Sequence, residues 1–226
     1  MKLLSIGKTL HYEGLDIVSI SLFDFMKQTD IDRYDYAIIH GGDGTIRRVL
    51  QKLYTTYIDT VFIINPTGSF NLIAKLHGTS QIQQILKKIA HEEPIITSTQ
   101  HFHKLNQHFF LFSAGNMGDL QHIIIAETLR FGWIEFGALR YIFTLVMMLP
   151  LHFLFTPFML MSRRKFFIFT PIKWIRKFGG FYGQVQDMTI DLKSYHNIIE
   201  LDGDIVTIEE NLLHIRTIGN ITIAIG

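Results

Sequence analysis

One stretch of this chain limits its fold more than any other: an apolar run that ends in three glycines and an acid, then resumes at helical spacing. It is residues 37–50, Ala-Ile-Ile-His-Gly-Gly-Asp-Gly-Thr-Ile-Arg-Arg-Val-Leu. The pattern predicts a strand, a tight turn and a helix. Gly41, Gly42 and Gly44 omit the Cβ where a backbone must approach a ligand or take positive φ, and the amides of Thr45, Ile46 and Arg47 are expected to face outward at the helix start. Such a turn suits an anion. The plainer reading is a tight connection in which Asp43 only caps the helix.

The neighbouring sequence extends the pattern. Residues 2–7 and 15–22 read as short strands, with a short helix or turn over 24–29, and the helix after the glycine turn is expected to end near Tyr57. Thr-Val-Phe-Ile-Ile-Asn at 60–65 is continuously apolar, which suits a parallel strand covered on both faces, and strand, helix and strand imply a right-handed crossover. Pro66-Thr-Gly-Ser-Phe-Asn71 then forms a second polar turn, followed by a short helix through Leu72, Ile73 and Leu76 and a clearer one through Ile82, Ile85, Leu86 and Ile89. In a parallel sheet both turns open at the same carboxyl edge.

From residue 95 the texture becomes β. Runs at 95–99 and 108–113 flank an Asn106-Gln107 turn, and further runs follow at 166–170, 188–192, 198–201, 205–208, 212–215 and 221–225. The expected organisation is an α/β domain over 1–94 followed by a mostly antiparallel β-sandwich domain over 95–226, the last strand being free to return to the first domain. Residues 117–128 fit helix or strand. A helix is expected over 137–149, stopped by Pro150.

Composition narrows the class of partner. With 21 basic and 20 acidic residues the net charge is +1, so no basic field points to nucleic acid. The absence of cysteine excludes disulfides and thiolate metal sites, and the N-terminus carries no signal-peptide pattern, so a cytoplasmic location is the expectation. Residues 141–161 contain no charged side chain with histidine neutral and are bracketed by Arg140 and Arg163-Arg164-Lys165. Pro150 and Pro157 argue against a membrane-spanning helix there; the remaining readings are a buried helix with an irregular apolar tail, or a surface that seats the protein on a bilayer. His101, His103 and His108 form no complete ligand set, and His101 and His103 read as solvent-facing residues on one strand face. The phenylalanines at 102, 109, 110 and 112 read as core.

His40-Gly-Gly-Asp-Gly-Thr45 after an apolar strand, with Pro66-x-Gly-Ser-x-Asn71 one strand later, resembles the catalytic domain of the diacylglycerol kinase and sphingosine kinase family. NAD kinases share the first motif. Phe112-Ser-Ala-Gly-Asn-Met-Gly118, Phe136-Gly-Ala-Leu-Arg-Tyr141 and Leu201-Asp-Gly-Asp204 are similar to later segments of the same family. The resemblance implies ATP-dependent phosphorylation of a diacylglycerol-like lipid hydroxyl at a membrane surface, by a protein that is cytoplasmic or peripheral on the inner membrane face. It further implies nucleotide contacts from Gly41, Gly42, Asp43, Gly44, Thr45, Ser69 and Asn71, a Mg²⁺ ion oriented by Asp43, and Asp202 as the general base. From the residues alone Asp202-Gly203 reads equally well as a hairpin turn.

The chain departs from that pattern in three places. It lacks an Asn-Pro-x-Ser-Gly turn after the first strand, offering only Ser5-Ile-Gly7 and Gly14; it has Arg47-Arg48 where the family has Asn-Glu; and it has Leu72 where the second turn ends in an acid. Two other readings therefore stay open: a weak or inactive relative that binds nucleotide or lipid, and a soluble NAD-kinase-like enzyme. Assembly into a homo-oligomer is also open.

Overall fold

The computed structural model describes residues 1–28, 33–53, 59–68, 71–117 and 137–226. Outside them lie the expected helix end at Tyr57, the turn residues Ser69 and Phe70, Gly118 and Phe136 of the motif segments, and all of the 117–128 segment beyond Met117. The chain divides into two compact units, Met1–Phe102 with Gly219–Gly226, and His103–Ile218. The first unit thus runs past residue 94, where the change of sequence texture placed the division.

In the first unit, β1 (Lys2–Ile6), β2 (Asp16–Ile20), β3 (Tyr36–Gly41) and β4 (Val61–Pro66) form a parallel sheet in the order β2-β1-β3-β4. The last residues of β14 (Leu212–Ala224) join it beside β4, also parallel, with Thr222 opposite Val61 and Ile223 opposite Phe62. Continuous apolar runs make these strands because both faces are covered. Leu3, Ile38, Ile63 and Ala224 pack with Ile85, Leu86 and Ile89 in one buried cluster. After α1 (Leu22–Lys27), α2 (Asp43–Leu53) buries Ile46, Val49, Leu50 and Leu53, the spacing of one helix face. Two helices follow, α3 (Leu72–His77) and α4 (Ile82–Ala90), and α4 supplies the three residues of the cluster just named.

The second unit is mostly antiparallel. The strand β5 (Thr97–Leu105) enters it from the first unit and pairs with β6 (His108–Phe110) across the Asn106-Gln107 turn. A separate sheet has the order β13-β12-β7-β8-β10-β9, built from β7 (Ser113–Gly115), β8 (Phe167–Phe169), β9 (Lys177–Phe178), β10 (Phe181–Tyr182), β12 (Asn197–Leu201) and β13 (Asp204–Ile208). β11 (Met188–Asp191) pairs with the first half of β14. A buried cluster that includes Leu105, Phe110, Phe166, Ile168, Ile199, Leu201, Leu213 and Ile215 draws on strands of both sheets, as a sandwich core does.

Two sequence expectations are corrected. The helix α5 spans Gly137–Met161 and runs through Pro150 and Pro157 instead of stopping at the first. Proline's fixed φ is itself helical, so each costs one hydrogen bond and a carbonyl clash, which flanking turns of leucine, methionine and phenylalanine can outweigh. Among the described residues no helix is long and apolar enough to cross a membrane. The second correction concerns His103, which is buried, lies 5.0 Å from the Phe110 ring at a tilt of 33° and shares a 3.0 Å hydrogen bond with the Thr217 hydroxyl, whereas His101 is exposed. Simple alternation fails because β5 passes from one unit into the other between Phe102 and His103. Among the described residues no group of three histidines or carboxylates could hold a metal ion.

Candidate functional site

Parallel pairing sets the geometry. His40 lies opposite Asn65 and Gly41 opposite Pro66, so the two polar turns leave adjacent strands at the same edge of the first unit. The turns are joined by backbone: the Thr67 amide donates to the Gly41 carbonyl at 3.2 Å. A Cβ on Gly42 would fall 3.1 Å from the Gly68 Cα, and a Cβ on Gly68 only 2.6 Å from the Gly42 Cα. Gly41 is closed by Thr45, whose Cβ and Cγ2 lie 2.5 Å from where a Cβ would stand. None of these three glycines has positive φ. Gly42 and Gly68 must be small because turn packs against turn, and Gly41 because the Thr45 side chain of its own turn fills the space, where the sequence suggested close approach of a ligand.

Asp43 fastens the two turns together. Its carboxylate accepts the amides of Leu72 at 2.8 Å and Ile73 at 3.0 Å, the first two residues of α3. Those are amides that a helix start leaves unpaired. Asn71, at the N-cap with φ 50°, does not cap them; its side chain folds back on Gly68, accepting the amide at 2.8 Å and donating to the carbonyl at 2.6 Å. Asp43 therefore caps a helix, but α3 and not its own. Burial pushes its carboxyl above the ordinary value, opposed by the Ile73 and Leu72 amides and by Lys75.

At the start of α2 the Ile46 amide already donates to the Gly42 carbonyl at 3.0 Å. The amides ahead of that first helical bond belong to Asp43, Gly44 and Thr45, two residues earlier than the sequence suggested. Arg48 is exposed and donates its Nε to the Gly44 carbonyl at 3.2 Å, while Arg47 is buried on the inner face of the helix. Asp43 is the one carboxylate on the two described turns, and each of its oxygens already accepts an amide. With four lone-pair positions it keeps acceptor capacity, so this donor set fits a Mg²⁺ ion brought in on phosphate oxygens and completed by water, and does not fit an ion held by the chain alone.

A polar chain beneath the turns was not singled out from sequence. The Asn65 amide nitrogen lies 2.7 Å from His40 Nδ1, and His40 Nε2 lies 3.0 Å from Ser5 Oγ, which donates to the Lys8 carbonyl at 2.8 Å. Because the Asn65 nitrogen can only donate, Nδ1 accepts and Nε2 carries the proton. Burial, with Lys8 adding to it, lowers the His40 pKa and favours this neutral ring. Gly7, at φ 102°, closes a third strand end here, where a Cβ would stand 2.9 Å from the His40 carbonyl oxygen. The available signal was a polar residue near the end of each of three apolar strands: Ser5, His40 and Asn65.

Of the sequence-derived site residues, Gly41, Gly42, Asp43, Gly44, Thr45 and Asn71 come together on this edge, and Ser69 lies outside the described residues. Asp202 belongs to the second unit. It occupies the tight turn between β12 and β13 with φ 50°, followed by Gly203 at φ 89°, as a two-residue hairpin requires. Its buried carboxylate accepts the amides of Leu111 at 2.7 Å, Phe112 at 2.9 Å and Ser113 at 3.0 Å. Beside it, Glu200 accepts the Ser113 hydroxyl at 2.9 Å and the Gly203 amide. Asp202 thus organises the approach to β7, whatever else it does.

Comparison with known proteins places these features. Residues 19–99, which contain both glycine turns, match the model of the Diacylglycerol kinase catalytic domain. The chain resembles a diacylglycerol kinase. Its fold aligns with a protein from Bacillus anthracis str. Sterne assigned as a diacylglycerol kinase, at TM-score 0.58 and 14% identity, covering 100% of this chain and 96% of that one. Partial overlaps occur with a diacylglycerol kinase from the same organism (TM-score 0.40, 22% identity, 57% and 52% of the two chains) and with an NAD kinase from Archaeoglobus fulgidus in complex with ATP (TM-score 0.33, 17% identity, 51% and 47%). No curated protein matches the chain. The diacylglycerol-kinase-like fold expected from the motifs, an α/β domain and then a mostly antiparallel β domain, is the one observed.

Proposed function

We propose that this protein is an ATP-dependent lipid kinase that phosphorylates the hydroxyl of a diacylglycerol-like lipid. The observation that carries the proposal is the locked pair of turns: two polar loops, sewn together by Gly42, Asp43 and Gly68, around the start of an eleven-residue helix at the carboxyl edge of a parallel sheet. Phosphate oxygens would rest on the amides of Asp43, Gly44 and Thr45, with the Thr45 hydroxyl beside them. Asp43 would orient Mg²⁺ through water, and the bound ion would neutralise phosphate charge. The acceptor hydroxyl would give its proton to Asp202 as its oxygen bonds to the γ-phosphorus and the bond from that phosphorus to ADP breaks. The role of Asp202 rests on its resemblance to the Asp-Gly-Glu element alone.

A second reading is favoured by one observation. Both Asp43 and Asp202 are buried and hold backbone amides, so both have structural work independent of turnover. A relative that binds nucleotide or lipid without transferring phosphate needs the same two carboxylates.

Labelled ATP and Mg²⁺ presented with diacylglycerol, a sphingoid base and NAD in mixed micelles separate the readings. Transfer to diacylglycerol, lost in Asp202→Asn while the melting transition survives, supports the proposal. Nucleotide binding without transfer supports the silent relative, and transfer to NAD overturns both.

A further inference from the structure

Among the described residues, an apolar helix with many large side chains left exposed is the feature of the second unit that the fold does not use. Along α5, Val146, Met147, Phe153, Phe158 and Met161 are all more than half exposed, Phe153 at 76% and Met161 at 83%. At about 100° per residue, the exposed Ile142, Val146, Met147 and Phe155 spread over more than half of the helix turn, so the helix is apolar around most of its circumference. A helix of that kind is buried in a protein core or in lipid, and an exposed apolar patch of this extent marks an interaction surface. The face continues beyond the helix. Trp174 is 83% and Phe178 66% exposed, and Phe178 lines an apolar cavity of about 700 Å³ together with Leu149, Phe153, Pro157, Leu160 and Met161. The Gly180 amide donates to the Leu160 carbonyl at 2.8 Å and anchors this loop to the helix end.

Charge identifies the occupant. The chain as a whole is nearly balanced, yet residues 137–186 contain no aspartate or glutamate. Arg163 and Arg164 follow the helix directly and are exposed, and exposed Lys173, Arg176 and Lys177 bracket Trp174 and precede Phe178. Apolar and aromatic side chains rimmed by cations alone complement an anionic bilayer, hydrocarbon to hydrocarbon and guanidinium or ammonium to phosphate. A second copy of the same face would set cation against cation.

We infer that α5 and the 173–178 loop form a docking surface that inserts into the anionic face of a lipid bilayer, with the 700 Å³ cavity open to an acyl chain. This deepens the lipid-kinase reading and rests on it for the identity of the substrate, but the docking itself needs no turnover.

The test is co-sedimentation of the whole chain, without ATP, on vesicles of phosphatidylcholine alone and of phosphatidylcholine mixed with phosphatidylglycerol. Binding is expected to the anionic vesicles only, weakening as salt rises. Replacing Arg163, Arg164, Arg176 or Lys177 by glutamine should weaken it about fivefold each, and Phe158→Ser or Trp174→Ser about tenfold or more. Because these side chains are exposed, the melting transition should not move. In a Trp133→Phe background, Trp174 emission should shift to the blue on anionic vesicles. Equal binding to neutral vesicles, no binding to either, or a stable dimer in solution that Phe158→Ser dissociates would each overturn the inference. Phosphate transfer to a short-chain, water-soluble diacylglycerol is measured separately, so a failure of docking is not mistaken for a failure of the kinase reading.

Discussion

Gly42 and Gly68 meet Cα against the space of a missing side chain: a Cβ on Gly68 would stand 2.6 Å from the Gly42 Cα. The obstacle is backbone, which cannot swing aside as a side chain can. Gly68→Ala is therefore expected to part the two turns, destabilising the first unit by about 1–3 kcal/mol and weakening nucleotide binding. Gly42→Ala, whose Cβ would sit 3.1 Å from the Gly68 Cα, should do less. Urea unfolding and nucleotide titration of both variants check the order; a Gly68→Ala protein as stable as the parent would sink it.

Asp43→Ala would leave the Leu72 and Ile73 amides without their acceptor, at a cost of about 2 kcal/mol. Asp43→Asn keeps one acceptor oxygen and should retain part of that. Because burial raises the Asp43 pKa, this carboxyl favours the folded state most below its unfolded value near 3.8 and loses that contribution as pH rises through the raised folded value. Comparing pH-dependent unfolding of the parent and Asp43→Asn should show this dependence disappear in the variant.

His40 titrates with the opposite sense. Its lowered pKa means that the neutral ring stabilises the fold above the unfolded value of 6.5, and that this stability is lost as pH falls through the lower folded value. A melting temperature that drops across that window, and drops less in His40→Gln, is the expected result. An imidazole proton resonance that titrates at 6.5 or above would contradict it.

Asp202→Ala is expected to destabilise the second unit strongly, since three amides lose their acceptor at once. Asp202→Asn preserves one acceptor and tolerates the left-handed φ, so it is the variant whose activity can be interpreted. Circular dichroism and thermal melting of both establish the fold before any transfer assay is read.

The parallel strands were legible because burial on both faces leaves an unbroken apolar run, as at 36–40 and 60–65. Both turns and the helix after the first were legible for a related reason, since glycine and a short polar residue have few other uses between a buried strand and a helix. What those residues touch was not. Gly42 finds Gly68 and Asp43 finds Leu72 and Ile73 only once β3 and β4 are in register. Local rules also misjudged α5, where two prolines weigh against long flanking helical turns, and His103, where strand alternation gives way as β5 changes unit.

The thirteen-residue strand β14 begins against β11 and ends against β4. Its final residues fill a lane of the first unit's sheet that residues 1–102 leave vacant. As the chain leaves the ribosome, the glycine turns are made early but the lane beside β4 stays empty until the second unit has been synthesised. Until then β4 presents an unpaired parallel edge, the kind that recruits other chains, so shielding of nascent chains should matter more here than in a protein whose first domain closes on its own.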